Sequence, residues 1–441
     1  MSTSQTTAPA TRTWTNWAGN QHARMQRVAT PASPHEVAET VRDAAARGLT
    51  VKPVGTGHSF TPAAVTDGVQ IRLGNLARLR GADHSAGLVT AEAGMPLWRL
   101  NELLAEQGMA LANMGDIQAQ TVSGAIGTGT HGTGRTSASI AEQVAGLELV
   151  LADGSIVACS ASSHAELFEA ARISVGTIGV ITAVTFRTEP GFLLEAREEP
   201  MRLDEVLDRF DELRTENEHF EFFWFPHTSS TATKRNNRTQ GPARPLSRRR
   251  EWLEDEFLSN RVFSGICRVG RAAPRTIPAI NRISSRAMST RTYVDRSDRV
   301  FTTTRTFKFV EMEYALPVDA AVPALREVER MIARENLRIS IPIEVRFAPA
   351  DELWLSAAHG RDTAYLAFHM FQGMDQTRYF DRAEEIMVAH GGRPHWGKLH
   401  TREHDFLAES YPKFADFLAV REKTDPDRVF ANNYTRRLFG P

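Results

Sequence analysis

The stretch VKPVGTGHSF, residues 51–60, runs a β-branched strand into Gly55, Thr56 and Gly57, and then into His58 and Ser59. Glycines let backbone N–H groups come close to an anion, and a pyrophosphate is a natural guest for such a loop. A tight turn without a ligand has the same composition. The flanks are more informative. In ATPASPHEVAETVRDAAARGLT, Ser33 suits an N-cap, Pro34 the first helical position and Glu36 a capping box. Val37, Val41 and Ala45 recur at helical spacing, and Gly48 ends the helix before the strand.

Downstream, Leu88 to Ala91 reads as a strand, and Leu97, Leu100, Leu103 and Leu104 mark one face of a helix. GLELVLADGSIVAC predicts a hairpin turning at Asp153-Gly154, and VGTIGVITAVTFRT a β-branched strand. Strands and helices mix without strict alternation, so this half is α+β. After about residue 188, NEHFEFFWFP and FKFVEMEYALP alternate apolar and polar residues, which predicts half-exposed antiparallel strands. DAAVPALREVERMIARENL and YFDRAEEIMVAHGG predict helices, and SIPIEVRFAP and TAYLAFHMFQG further strands. KRNNRTQGPARPLSRRR, 234–250, reads as a solvated surface excursion.

At 441 residues the chain exceeds one ordinary core, so two domains are expected. With 41% apolar and 24% charged residues it is globular. A formal charge of −1 gives no global attraction to nucleic acid or to an anionic membrane. Two distant cysteines, Cys159 and Cys267, make no disulfide framework. The N-terminus shows no basic-then-apolar leader, and no stretch approaches the roughly 20 apolar residues of a membrane span. These features predict a cytoplasmic protein.

Several motifs are decoys. GAIGTGTHGTG, 124–134, spells G-x-G-x-x-G at Gly127, Gly129 and Gly132, but TGRTSASI follows it, with no apolar helical face to match a dinucleotide-binding βαβ unit. GRPHWGKL has Walker-like spacing at Gly392 and Gly397-Lys398. Leu399 stands where magnesium binding wants a hydroxyl, and Pro394 removes a backbone donor. His395, His400 and His404 are spaced by five and four, which does not put them on one helical face, so no metal is assigned. On the 343–347 strand Glu344 and Arg346 share one face, opposite Ile343, Val345 and Phe347. That pattern fits a site or a solvated ion pair. Tyr365, His369 and Phe371 share a face in the same way.

Taken together, GxGHS with the downstream Asp67-Gly68, GTGTHGTG, IEVRF, HWGK and the terminal DPDRVFANNYTRRLFG resemble one family over nearly the whole chain. That family is the FAD-dependent aldonolactone oxidoreductases of the vanillyl-alcohol-oxidase type, related to the alditol oxidases. The resemblance implies an α+β, two-domain flavoprotein. Residues 1–187 would form the FAD-binding domain, 188–394 a cap with an antiparallel sheet, and 395–441 a C-terminal segment completing the FAD domain and active site. It implies FAD held by Gly55, Thr56, Gly57 and Ser59 and by Gly127, Thr128, Gly129, Thr130, His131, Gly132 and Gly134, with His58 bonded covalently to the flavin.

The reaction so implied is oxidation of the C2 hydroxyl of an L-gulono- or D-arabinono-1,4-lactone by hydride transfer to flavin N5, giving an ascorbate-type product. Arg346 and Lys398 would stabilise developing negative charge and Glu344 would accept hydrogen bonds from the sugar. His369 and Thr121 would also contact substrate. Oxygen or another acceptor would take the electrons. The alternative is an alditol oxidase acting on a linear polyol such as xylitol. Phe371, where alditol oxidases carry a small hydroxyl residue, favours the lactone.

Overall fold

The computed structural model describes residues 12–137 and 139–441; the N-terminal stretch read for a leader lies largely outside them. The helix predicted after Ser33 runs Pro34–Ala46, and the Ser33 hydroxyl accepts from the Glu36 amide at 3.2 Å. The Glu36 carboxylate reaches back to the amide of Ala32, one residue earlier than a capping box requires. Strand Val51–Val54 follows and pairs in parallel with Val69–Arg72, which also pairs with Arg27–Ala29. A five-stranded antiparallel sheet stands beside it, in the order 156–160, 144–150, 180–187, 88–92, 79–83. The Asp153-Gly154 hairpin is there, with Gly154 at φ +77°.

One core joins these elements to the end of the chain: Phe414, Phe417, Phe430, Leu438 and Phe439 are buried with Val37, Leu100 and Val184. Polar contacts fix the tail to the first strand and the loop after it. The Val51 amide donates to Val429 O at 2.7 Å. Lys52, wholly buried, donates to Gly176 O and Phe430 O, and burial lowers its pKa to about 7. Asn432 caps the helix Asn433–Phe439 and spends its amide N–H groups on the carbonyls of Pro62, Ala63 and Val65.

The second body is an eight-stranded antiparallel sheet, ordered 291–296, 193–202, 230–239, 219–224, 343–348, 363–371, 309–317, 393–394. Helices Ala321–Arg334 and Thr377–Ala389 bury Leu325, Val328, Tyr379 and Met387 in a second core with Phe222, Ile343 and Phe368. Two expectations fail here. Strands His219–Trp224 and Phe309–Pro317 are buried on both faces, not half-exposed, because their polar faces look onto the first body and an internal cavity. Residues 234–239 are not a solvated loop; they finish the strand Ser230–Thr239, and Lys234 is buried, donating to Val300 O at 2.8 Å. Beyond Ser247 the chain is largely helical to Arg286. Among the described residues no helix is long and apolar enough to cross a membrane.

Replacing Asn432 with Ala removes a cap and three inter-segment hydrogen bonds together, and should lower stability by about 2–3 kcal/mol in urea titration. Asn432→Asp keeps the cap acceptor but sets a carboxylate against three carbonyls, so it should not rescue the loss. Unfolding midpoints equal to wild type in both variants would show that the tail is held by its apolar residues alone.

Candidate active site

The loop after strand Val51–Val54 has the backbone its glycines suggest. A Cβ on Gly55 would lie 2.2 Å from the Thr121 hydroxyl oxygen. Gly57 has φ +73°, and a Cβ there would lie 2.9 Å from the Trp14 ring. Either side chain would be excluded sterically. The amides of Thr56, Gly57, His58 and Ser59 donate to no protein acceptor among the described residues, although they sit in a folded, packed loop. The Thr121 hydroxyl is buried and equally without a partner. Thr56 is exposed and Gly57 to Ser59 are half-buried, so these amides are open to solvent or to a ligand; with the buried Thr121 hydroxyl they lie on a groove lined by Lys52 to Ser59, Thr121, Ser123, Gly124, Gly127 and Ser174 to Gly176. The donor set fits a pyrophosphate-bearing group.

A cavity of about 590 Å³ continues from that groove, and His58, Ser59, Gln120 and Thr128 line both. His58 therefore stands at their junction. Its ring stacks on Trp17, with centroids 5.3 Å apart. Burial, aided by the nearby Lys398 cation, lowers its pKa to about 4, so the imidazole is neutral at physiological pH. The tail delivers Lys398 there: the Phe60 amide donates to Gly397 O at 2.8 Å, and the ammonium lies 5.3 Å from the Phe60 ring centroid.

The sheet supplies the opposite wall. Glu221, Glu311, Glu313, Glu344, Arg346 and His369 come from four adjacent strands and point to one side. Arg346 Nε donates to Glu221 at 3.2 Å, and its terminal nitrogen contacts Glu344. Lys398 Nζ is 2.6 Å from Glu311 and 4.0 Å from Glu313. Burial opposes every charge here, but pairing decides the outcome. Glu311 and Glu313 keep Lys398 above its usual pKa. His131 and Lys398 hold Glu313 well below the usual carboxylate range. Glu344 differs: burial, helped by Glu221 and Asp116, outweighs Arg346 and pushes its carboxyl up to about 8.

His369 receives nothing on Nδ1 but the Pro342 carbonyl at 3.1 Å, so Nδ1 carries the proton and Nε2 turns a lone pair toward Glu311 and Glu344, at 3.6 and 3.9 Å. Burial keeps this ring below its ordinary pKa against the pull of Glu311.

The expected site residues therefore divide. Glu344, Arg346, His369 and Lys398 meet in the cavity, with Thr130 and His131 on its wall. Gly55 to Ser59, Gly127 and Thr128 line the groove. Thr121 also lies in the groove beside Gly55 and not in the cavity, so its expected substrate contact is not supported by its placement. Gly129, Gly132 and Gly134 line neither space. Gly129 turns at φ +74°, while Cβ atoms on Gly132 and Gly134 would strike Met114 O and Ser137 O, so these glycines serve the packing of their own loop. Phe371 is absent from the cavity wall and belongs to the second core, which removes its bearing on lactone against polyol.

His395, His400 and His404 do not converge. His395 instead approaches His131 and Glu313. Its Nδ1 accepts from the Gly397 amide and its Nε2 faces the Gly129 carbonyl, so both nitrogens are spent on hydrogen bonds. Asp116, Glu221, Lys234, Arg305, Glu311 and Glu313 escaped the sequence reading. Glu221, Glu311 and Glu313 were present only as single charges in apolar alternation, whereas Asp116, Lys234 and Arg305 lie in polar stretches that carry no such pattern.

Profiles of known families and individual relatives agree on the whole chain. The family described as D-arabinono-1,4-lactone oxidase matches residues 184–438, and an FAD binding domain matches residues 25–160. The chain is 41% identical to L-gulono-1,4-lactone dehydrogenase of Mycobacterium tuberculosis over 97% of its length and 99% of the relative's. It is 35% identical to L-gulonolactone oxidase of Bos taurus, covering 96% of this chain and 97% of that one. Cholesterol oxidase from B. sterolicum superposes with a TM-score of 0.85 over 97% of both chains at 16% identity, a likeness of fold.

The raised Glu344 pKa has a sign that can be measured. The folded protein holds a proton that the unfolded chain has lost above the usual carboxylate value, so stability falls as pH rises from about 4.5 to about 8. Glu344→Gln abolishes that decline. Its stability relative to wild type should improve by about 1–3 kcal/mol across this window. Stability differences that stay constant over the same range would show that Glu344 titrates as an ordinary carboxylate.

Proposed function

The chain belongs to the FAD-dependent aldonolactone oxidoreductase family, and on that premise we propose that it oxidises the C2 hydroxyl of an L-gulono- or D-arabinono-1,4-lactone to an ascorbate-type product. It is an FAD enzyme acting on a CH–OH donor. Bound FAD supplies the hydride acceptor. An FAD-binding domain of residues 1–187 completed by 395–441, with 188–394 as the cap, is supported by most of the two cores, although Leu194, Ala196, Val300, Phe301, Leu353 and Leu355 pack into the first core and Ala18 and Phe60 into the second.

The observation that carries the reading is the buried cluster in which Arg346 and Lys398 face one cavity with Glu344 and His369 between carboxylate partners. A carbinol loses a proton from oxygen and a hydride from carbon. Arg346 and Lys398 are fixed cations in a site screened from water, where they lower the cost of the developing alkoxide. His369 Nε2 has the lone pair to take the hydroxyl proton, since Nδ1 is committed to Pro342. Glu344 accepts hydrogen bonds from the remaining sugar hydroxyls once ionised and donates one while protonated.

The unpaired amides of Thr56 to Ser59 would hold the cofactor's pyrophosphate. His58, neutral and free of hydrogen bonds among the described residues, would be its covalent tether. Two buried, unpaired cysteines fit residence in a reducing cytoplasm.

Arg346→Ala should slow anaerobic flavin bleaching by L-gulono-1,4-lactone by about two to three orders of magnitude. A normal rate would remove Arg346 from the chemistry. Xylitol, tested alongside, should bleach the flavin far more slowly; the reverse order would make the enzyme an alditol oxidase. Acid precipitation of the wild type should leave the yellow colour in the pellet, and His58→Ala should release it to the supernatant. Colour in the wild-type supernatant would reduce His58 to a noncovalent contact.

A further inference from the structure

Arg305 is a further cation on the wall of the catalytic cavity, outside the chemistry assigned to Arg346 and Lys398. It stands in the irregular stretch 302–308, between the helix Ser297–Phe301 and the strand Phe309–Pro317. That stretch is gripped on two sides. Asp116, from the part of the chain matched as an FAD binding domain, accepts from the Thr303 hydroxyl at 2.7 Å, and its carbonyl accepts from the Thr303 amide at 3.0 Å. The buried Asn260 donates to Thr304 O at 2.7 Å and accepts from the Thr306 amide at 2.8 Å. These bonds fix the backbone on either side of Arg305.

The pairing of Arg305 itself is incomplete. Its Nε and Nη2 donate to one oxygen of Asp116 at 3.4 and 3.3 Å, long for a charge-assisted pair. Its Nη1 donates to no acceptor among the described residues. The side chain is 29% exposed, against 11% for Arg346 and 22% for Lys398. The guanidinium lies deep in the protein, so this open surface is cavity wall. After Asp116, the carboxyl group it feels most is that of Glu344.

The wall selects what Arg305 can take. Among the described residues the cavity is lined by eight carboxylate side chains against five lysines and arginines, so an anionic substituent is disfavoured. A neutral hydroxyl is not. In the function proposed above, the reacting hydroxyl meets His369, Arg346 and Lys398, and Glu344 holds other hydroxyls of the sugar. Arg305 offers only donors and Glu344 can accept, and the two together complement adjacent hydroxyls. A six-carbon aldono-1,4-lactone carries such a pair outside its ring, on C5 and C6. A five-carbon lactone has one exocyclic hydroxyl.

We propose that Arg305 is a specificity-determining residue that binds, with Glu344, the exocyclic diol of a six-carbon aldono-1,4-lactone, and that Asp116 is the positioning residue that aims it. The inference rests on the lactone reading and narrows it to the six-carbon substrates.

The test is anaerobic bleaching of the FAD-loaded enzyme by L-galactono-1,4-lactone and by D-arabinono-1,4-lactone. These share their configuration at C2, C3 and C4 and differ by one exocyclic CHOH. Apparent Kd and limiting rate are read separately. The wild type should favour the six-carbon lactone by about tenfold or more, through Kd. R305A should raise Kd for that lactone about ten- to hundredfold, with a limiting rate within about threefold of wild type, and should raise Kd for the five-carbon lactone by about threefold at most. R305K keeps the charge and loses the fork, so its preference should be intermediate. D116N should lower the preference too, with the flavin absorption of the wild type. A pair that merely joins the two bodies would weaken both lactones alike, and that outcome, or an undiminished preference in R305A, would overturn the proposal. If R305A does not hold FAD, an undiminished preference in R305K overturns it. A wild type bleached equally well by both lactones overturns it while the lactone reading stands; a wild type bleached by neither overturns both.

Discussion

A guanidinium with its whole head group in the protein interior must be met by carboxylates on fixed backbone, or the fold loses far more than it gains. Arg346 is such a group. Glu344 reaches it from its own strand and Glu221 from the neighbouring strand, so the register of 343–348 against 219–224 fixes the pair. The same sheet places Glu311 and Glu313 two residues apart on one strand, facing Lys398. The central strands of this sheet are thus set by the need to bury cations on one face and apolar side chains on the other.

The cluster is completed from a distant part of the sequence. Lys398 follows directly on the sheet's last short strand, at Arg393–Pro394. Gly397 then accepts from Phe60, tying that segment to the His58 loop. Tyr434 and Asn432 lock the tail behind it, through Trp396 O and the carbonyls of Pro62, Ala63 and Val65. The first loop, the sheet and the tail therefore position one another. A change in any of them reaches His58, Lys398 and Arg346 together.

Local physics made much of this legible. Ser33, Pro34 and Gly48 mark a helix whose cap is made by neighbours in sequence, and Asp153-Gly154 marks a turn for the same reason. Glu344 and Arg346 were legible as a pair because strand parity alone puts them on one face. Glu311, Glu313 and His369 sit in equally regular alternation, and there the period misleads. It tells which residues share a face and is silent on whether water or another layer covers that face. The glycines of 124–134 were ambiguous in a similar way: composition shows freedom from Cβ atoms, whereas only the packed loop shows that Gly132 and Gly134 use it against Met114 and Ser137.

Net charge carries a related lesson. A total of −1 conceals residues 241–290, which hold ten arginines against four acids and expose all ten arginines. By itself the sequence determined the elements, their faces and the identity of the groups able to bind an anion or stabilise a negative charge, because these follow from side-chain chemistry and periods of a few residues. The tertiary structure alone decided which face met water, that Lys398 would stand beside His58, and that Glu344 would hold its proton. Those outcomes depend on desolvation and on neighbours separated by hundreds of residues, and no local pattern encodes either.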